Sequence, residues 1–271
     1  MLIDSHCHLD AAEFDADRAA VAEAAQKAGV NMIVIPAVHR ENFNQVIDLA
    51  SYHENCCFAL GIHPMYVDGA QPSDLVELKG LIAAQIAKPN HKIVAIGEIG
   101  LDFFVKTDNR ETQEYFFVEQ LKIAQTFDLP VVLHVRRAVD DVLKHLRRHK
   151  VRGGIAHAFN GSAQQAQIFI DLGFKLGFGG AMTYSRARHL RDLAKNLPLE
   201  SIVLETDSPD IPPEWLGTKA RNSPNELLKI AQVLADLRGI ELAQIIETTG
   251  KNVMQVLPKI VDLCTPLNVL H

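Results

Sequence analysis

The sequence predicts a TIM-type (β/α)8 barrel, on three observations. Eight short apolar runs alternate with longer segments of helical periodicity. Most runs are continuously apolar, the pattern of strands covered on both faces in a parallel sheet. Their ends recur about every 28 residues, a spacing that suits one βα unit. Eight such units in about 250 residues fit one barrel domain over residues 1–271. The competing arrangement is an open, doubly wound sheet.

The predicted strands are 2–4, 32–38, 58–62, 93–99, 131–135, 154–158, 175–178 and 202–205. Helices are expected between them. Residues 17–28 are Ala-rich and stop at Gly29. Residues 42–53 place Phe43, Val46, Ile47 and Ala50 on one face. Segments 74–87, 111–127, 139–149, 163–172 and 186–196 follow, with Gly173 and Pro198 where helices end. Two further helices, 224–237 and 242–256, come after the last strand, and 258–271 is expected to pack outside as a tail. No Gly/Ser-rich linker or low-complexity stretch marks a second domain.

The chain of 271 residues is 48% hydrophobic, ample for one large core, and carries a net charge of -6. That balance disfavours a protein that coats duplex nucleic acid by charge alone. Cys7, Cys56, Cys57 and Cys264 match no zinc-ribbon or CxxC spacing. No apolar run approaches the roughly 18 residues of a membrane span, and the start lacks a secretory signal. A reduced, cytoplasmic protein with buried cysteines is expected.

Barrel chemistry sits at the C-terminal strand ends. There the sequence places His6 and His8, then His63, Glu98, His134, His157 and Asp207. Side chains two apart on a strand share a face, so His6 and His8 aim together and Cys7 turns away. Ionisable groups in an apolar barrel are costly unless paired or bound to a cation. Imidazoles with carboxylates suit zinc, manganese or similar divalent ions. Six ligands, His6, His8, Glu98, His134, His157 and Asp207, exceed one tetrahedral site and suit two ions with Glu98 bridging. His39, His53, His91, His145, His149, His189 and His271 lie off the strand ends and read as ordinary core or surface residues. Arg136 to Arg152 is a basic run, but Lys144, Arg147, Arg148 and Lys150 fall on the helix after strand 5, a solvated outer face.

Several motifs resemble the TatD family of metal-dependent hydrolases within the amidohydrolase-like barrels. They are Asp4-Ser5-His6-Cys7-His8-Leu9, Gly61-Ile62-His63-Pro64, Gly97-Glu98-Ile99-Gly100-Leu101-Asp102 and the run from Leu129 to Arg136. His157-Ala158-Phe159-Asn160-Gly161, Glu205-Thr206-Asp207-Ser208-Pro209 and Arg221-Asn222-Ser223-Pro224 complete the set, in family order along nearly the whole chain. The resemblance implies one metal held by His6, His8 and Asp207, a second by His134 and His157, and Glu98 between them. Asp210 departs from the aromatic residue more usual there, which bears on substrate contacts next to Asp207 and not on the metal site; Asn160 departs from serine, a mild change that can still hydrogen-bond.

The resemblance further implies a divalent-metal-dependent phosphodiesterase or deoxyribonuclease, of 3′–5′ exonuclease type, acting on nucleic-acid ends through a metal-activated water. Asp207 is the expected proton acceptor. Glu205 and Asp102 read as residues that hold ligands in place, with a structural hydrogen bond as the alternative for each. His63, Arg136 and Arg221 are candidate substrate contacts, with Asn222 at the rim. The Gly177-Phe178-Gly179-Gly180 loop either admits a phosphate to its N–H groups or is a tight turn. The alternatives are a hydrolase of ester or C–N bonds, such as a D-aminoacyl-tRNA deacylase, and a metal-binding protein without catalysis. No membrane or obligate protein partner is expected.

Overall fold

A computed structural model describes residues 1–104 and 109–264; residues 265–271, with His271 and the end of the expected tail, lie outside the described residues. Eight parallel strands follow one another in sheet order β1 to β8. They are β1 (Leu2–Asp4), β2 (Val30–Pro36), β3 (Cys56–Leu60), β4 (Ile93–Asp102), β5 (Val131–Arg136), β6 (Gly154–Ala156), β7 (Phe174–Phe178) and β8 (Ile202–Leu204). The amide of Ser5 donates to the Leu204 carbonyl at 3.0 Å, and that of Asp207 to the His6 carbonyl at 2.8 Å, drawing the first and last strands together. The barrel is therefore the architecture, not the open sheet.

Helices α1 (Arg18–Lys27), α2 (Phe43–Tyr52), α3 (Pro72–Ile86), α4 (Arg110–Phe127), α5 (Val139–Arg148), α6 (Ala163–Asp171) and α7 (Arg188–Asn196) alternate with the strands. After β8 come α8 (Leu227–Arg238), α9 (Leu242–Val256) and α10 (Lys259–Cys264). Expected helix ends agree to within a few residues. On α5, Lys144, Arg147 and Arg148 are exposed, while His145 is buried and pairs with Glu114 at 3.0 Å.

The apolar residues form two layers. Ile3, Val34, Cys57, Val132, Ile155 and Val203 fill the barrel interior, joined at its base by Val253 and Leu257 of α9 and its end. Leu2, Ile33, Cys56, Val131 and Leu133 face the helices instead. Strand alternation thus sends the adjacent Cys56 and Cys57 to opposite layers, and all four cysteines are free. The same alternation carries Val132 to His134, Ile155 to His157 and Val203 to Glu205, so apolar inward positions lead to polar ones at the mouth.

Two departures from the expected strand bounds matter. Strands β6 and β8 stop at Ala156 and Leu204, so His157, Glu205 and Asp207 sit just past them. Strand β4 runs on to Asp102, pairing Gly100 with His134 and Asp102 with Arg136. Gly100 permits this: its φ is 148°, and a Cβ there would lie 1.9 Å from the His134 carbonyl oxygen. This close approach brings Asp102 beside the His134 ring.

Candidate metal centre

The described strand ends open on a cavity of about 1400 Å³. At its floor, the Glu98 side chain is 2% exposed and divides its surroundings by oxygen. Its Oε2 lies 3.1 Å from His6 Nε2 and 3.4 Å from His8 Nε2. Its Oε1 lies 3.0 Å from His134 Nδ1, 3.1 Å from His157 Nε2 and 3.3 Å from His63 Nε2.

On the Oε2 side, His6 and His8 bring their Nε2 atoms to 3.1 Å from each other. Asp207 Oδ1 is 3.5 Å from the first and 3.7 Å from the second. Four donors around an ion at about 2.0–2.1 Å would be separated by roughly 3.3 Å, the edge of that tetrahedron. The observed separations, 3.1 to 3.7 Å, surround that value. Imidazole and carboxylate lone pairs this close oppose one another unless a cation or protons lie between them. The donor set therefore fits a divalent ion.

Burial alone would raise the Glu98 carboxyl, but His63, His157 and His6 hold it well below its ordinary range. Burial and the neighbouring His157 push His6 down. For His8, burial is outweighed by Glu98 and Asp207, and its pKa rises to about 9. Asp207 is pushed up to about 6 by burial, against the pull of His157 and His8.

His134 lies between two carboxylates: Glu98 at Nδ1, and Asp102 Oδ2 at 2.9 Å from Nε2. Burial would lower its pKa, but these two acids raise it. Glu205 accepts the Ala158 amide at 2.5 Å and lies 3.7 Å from His157 Nδ1, close but beyond a hydrogen bond. Gly177 gives Glu205 its room, since a Cβ there would lie 2.1 Å from Oε2. A Cβ at Gly179 would likewise lie 2.7 Å from the Glu205 carbonyl oxygen, whereas one at Gly180 would meet the Ile211 carbonyl instead.

His63 lines the cavity and reaches the Glu98 carboxylate at its floor. Its Nδ1 accepts the Met65 amide at 3.1 Å, which leaves Nε2 of the neutral ring protonated and aimed at Glu98. Arg136 lines the cavity, half exposed, 4.0 Å from Asp102 Oδ2. Arg221, the third candidate substrate contact, is engaged elsewhere. Its guanidinium is held by both Asp17 oxygens, at 2.8 and 2.7 Å, and by the Glu13 carbonyl, and it does not line the cavity. Asn222 also leaves the rim: it is buried and donates to the Thr206, Asp210 and Ile211 carbonyls, tying down the loop that carries Asp207.

One supporting pair is absent from the sequence expectations. Buried Asp4 accepts the Thr206 amide at 2.9 Å and its hydroxyl at 2.6 Å, pinning the backbone beside His6 to the backbone beside Asp207. Burial pushes Asp4 up to about 8 despite those bonds. Its signal was a lone carboxylate ending an apolar strand at Leu2-Ile3-Asp4.

A barrel that converges imidazoles and carboxylates on one cavity in this way defines a metal-dependent hydrolase. The model of the TatD related DNase family matches residues 3–258, and the chain belongs to that family. It is 42% identical over 87% of its length to the uncharacterized metal-dependent hydrolase YjjV of Escherichia coli K12, covering 90% of that protein. The human deoxyribonuclease TATDN3 is 34% identical, with 96% of this chain and 95% of that protein covered. The crystal structure of E. coli YjjV superposes with a TM-score of 0.90 at 39% identity, covering 95% of this chain and 98% of that one. Among the described residues no helix is long and apolar enough to cross a membrane.

Proposed function

We propose that the chain is a phosphodiesterase that removes nucleotides from nucleic-acid ends, of 3′–5′ deoxyribonuclease type, with two divalent ions per chain. The observation that carries this reading is the split of Glu98. One oxygen faces His6 and His8, beside Asp207, while the other faces His134 and His157. A carboxylate so placed serves two adjacent ions, the arrangement suited to in-line displacement at phosphorus. Family membership and the human relative's name support the choice of a phosphodiester over other bonds.

In this reading His6, His8, Asp207 and Glu98 hold one ion, and His134, His157 and Glu98 the other; zinc, manganese and magnesium all suit the set. Divalent ions there supply Lewis acidity, easing deprotonation of the attacking water and countering charge on the phosphorus. Asp207, 13% exposed and facing the cavity, takes the proton of that water and returns it to the leaving oxygen. Asp102 holds the His134 ring, and Glu205 orders the backbone that carries His157. His63 presents an N–H toward the same centre, and Arg136 meets the substrate's negative charge from the rim.

The test is digestion of labelled single-stranded DNA with Mg2+ or Mn2+, comparing wild type with Asp207→Asn. The variant should lose roughly 10²–10⁴-fold, and elemental analysis should return two ions per wild-type chain. Nuclease activity unchanged by Asp207→Asn would overturn the reading. Amino-acid release from charged tRNA without nuclease activity would move it to ester hydrolysis. Metal content without turnover on a broad panel would leave a binding protein.

A further inference from the structure

Among the described residues lining the cavity, Arg136 and Arg137 are the two Lys/Arg side chains. Both lie on one ring: the Arg136 guanidinium is 3.7 Å from the Phe104 centroid and that of Arg137 is 4.6 Å away. Consecutive strand residues ordinarily point to opposite faces. Here Arg137 has a φ of 53°, in the left-handed region, and the chain turns so that both guanidiniums reach the same ring. Phe104 is 43% exposed and lines the cavity with both arginines. Arg137 forms no ion pair among the described residues, and Arg136 only the 4.0 Å approach to Asp102.

The far side of the cavity has the other sign. Asp10 and Glu13 after β1, Glu41 after β2 and Asp210 after β8 line it. In an eight-stranded barrel these strand ends face those of β4 and β5. A chain of phosphates is repelled on that side and, among the described residues that line the cavity, attracted toward Arg136 and Arg137.

We propose that Arg136 and Arg137, braced by Phe104, clamp the phosphate next to the scissile one, so that a single nucleic-acid strand leaves the metal centre over the β4–β5 rim. This rests on the phosphodiesterase reading and adds Arg137 and Phe104 to the residues that meet substrate. The ring acts as a positioning residue, holding two flexible guanidiniums by their faces while their edges stay free for phosphate oxygens.

The test is kcat/KM on a single-stranded oligonucleotide, measured across a salt series, for wild type, Arg136→Gln, Arg137→Gln, Phe104→Leu and Phe104→Tyr. Each neutralised phosphate contributes about −0.7 to the slope of log affinity against log salt for single strands. Each Arg→Gln change should therefore flatten the slope by about 0.7, and the KM for the oligonucleotide should rise roughly tenfold. The one-phosphate diester bis(p-nitrophenyl) phosphate should show a much smaller rise. Phe104→Leu should keep the slope, since both charges remain, yet lower kcat/KM severalfold, and Phe104→Tyr should restore it. Slopes unchanged in both arginine variants, or a Phe104→Leu enzyme equal to wild type, would overturn the clamp. Failure of the wild type to hydrolyse either phosphodiester would instead overturn the phosphodiesterase reading.

Discussion

Asp102 Oδ2 stands 2.9 Å from Nε2 of His134, while Glu98 Oε1 stands 3.0 Å from Nδ1 of the same ring. The imidazole is thus oriented from both sides. A proton on Nε2, shared with Asp102, leaves Nδ1 as the lone-pair nitrogen facing the centre. In the two-ion reading His134 would therefore offer its Nδ1, in contrast to His6, His8 and His157, which present Nε2 to Glu98.

Asp102→Ala should weaken binding of one ion about 10- to 100-fold while the other stays bound, the usual consequence of removing a carboxylate behind a ligating histidine. Zinc titration followed by elemental analysis checks this. Equal loss of both ions, or loss of neither, would contradict the orienting role. Asp102→Asn should be milder, because its amide oxygen can still accept from Nε2.

Metal removal should destabilise the fold. A chelator leaves His6, His8, Asp207 and Glu98 facing one another at 3.1 to 3.7 Å with no cation between them. At a free-ion concentration a thousandfold above Kd, the stabilisation lost is about 4 kcal/mol per ion. For a chain of this length that is roughly 8–16 °C in Tm. Scanning fluorimetry with and without chelator should show the drop and its recovery on adding Zn2+ or Mn2+. A Tm indifferent to both would argue against ions at this cluster.

The barrel and the gathering of Glu98, His134, His157 and Asp207 were legible because strand alternation needs only sequence parity, whereas His6 and His8 lie past the end of β1 at Asp4 and share a face only with each other. Val132 faces inward, so His134 two residues on does too. What parity cannot show is contact across long separations or unusual backbone. Arg221 sits beside Asn222 in a motif near the site, yet its partner is Asp17, 204 positions away. Arg137 and Phe104 escaped notice because their meeting depends on a left-handed residue and on how far β4 extends. Nor does anything in Gly61-Ile62-His63-Pro64 reveal that the Met65 amide occupies the Nδ1 of His63.

Arg221→Ala separates the motif-based expectation from the observed contact. The Arg221 guanidinium spans both Asp17 oxygens and does not line the cavity. KM for an oligonucleotide should change less than about threefold, and Tm should fall only slightly, as for most exposed ion pairs. A tenfold rise in KM with unchanged Tm would return Arg221 to the substrate site.

Gly177 offers the sharpest test of how the second half of the cluster is supported. It pairs with Val203 in the β7–β8 ladder, and a Cβ there would lie 2.1 Å from Glu205 Oε2. Glu205 is 1% exposed and cannot swing away without releasing the Ala158 amide beside His157. Gly177→Ala should therefore cost about 1–3 kcal/mol, the range for overpacking a filled interior. Glu205→Ala should cost about 1–3 kcal/mol by a different route, leaving the Ala158 N–H without its acceptor. The double variant should cost less than the two together, because the shortened side chain removes the obstacle that the new methyl meets. Urea unfolding of the four metal-free proteins gives the coupling directly, and about 1 kcal/mol or more of relief is expected. Additivity within about 0.5 kcal/mol would mean that the carboxylate is not what the glycine makes room for.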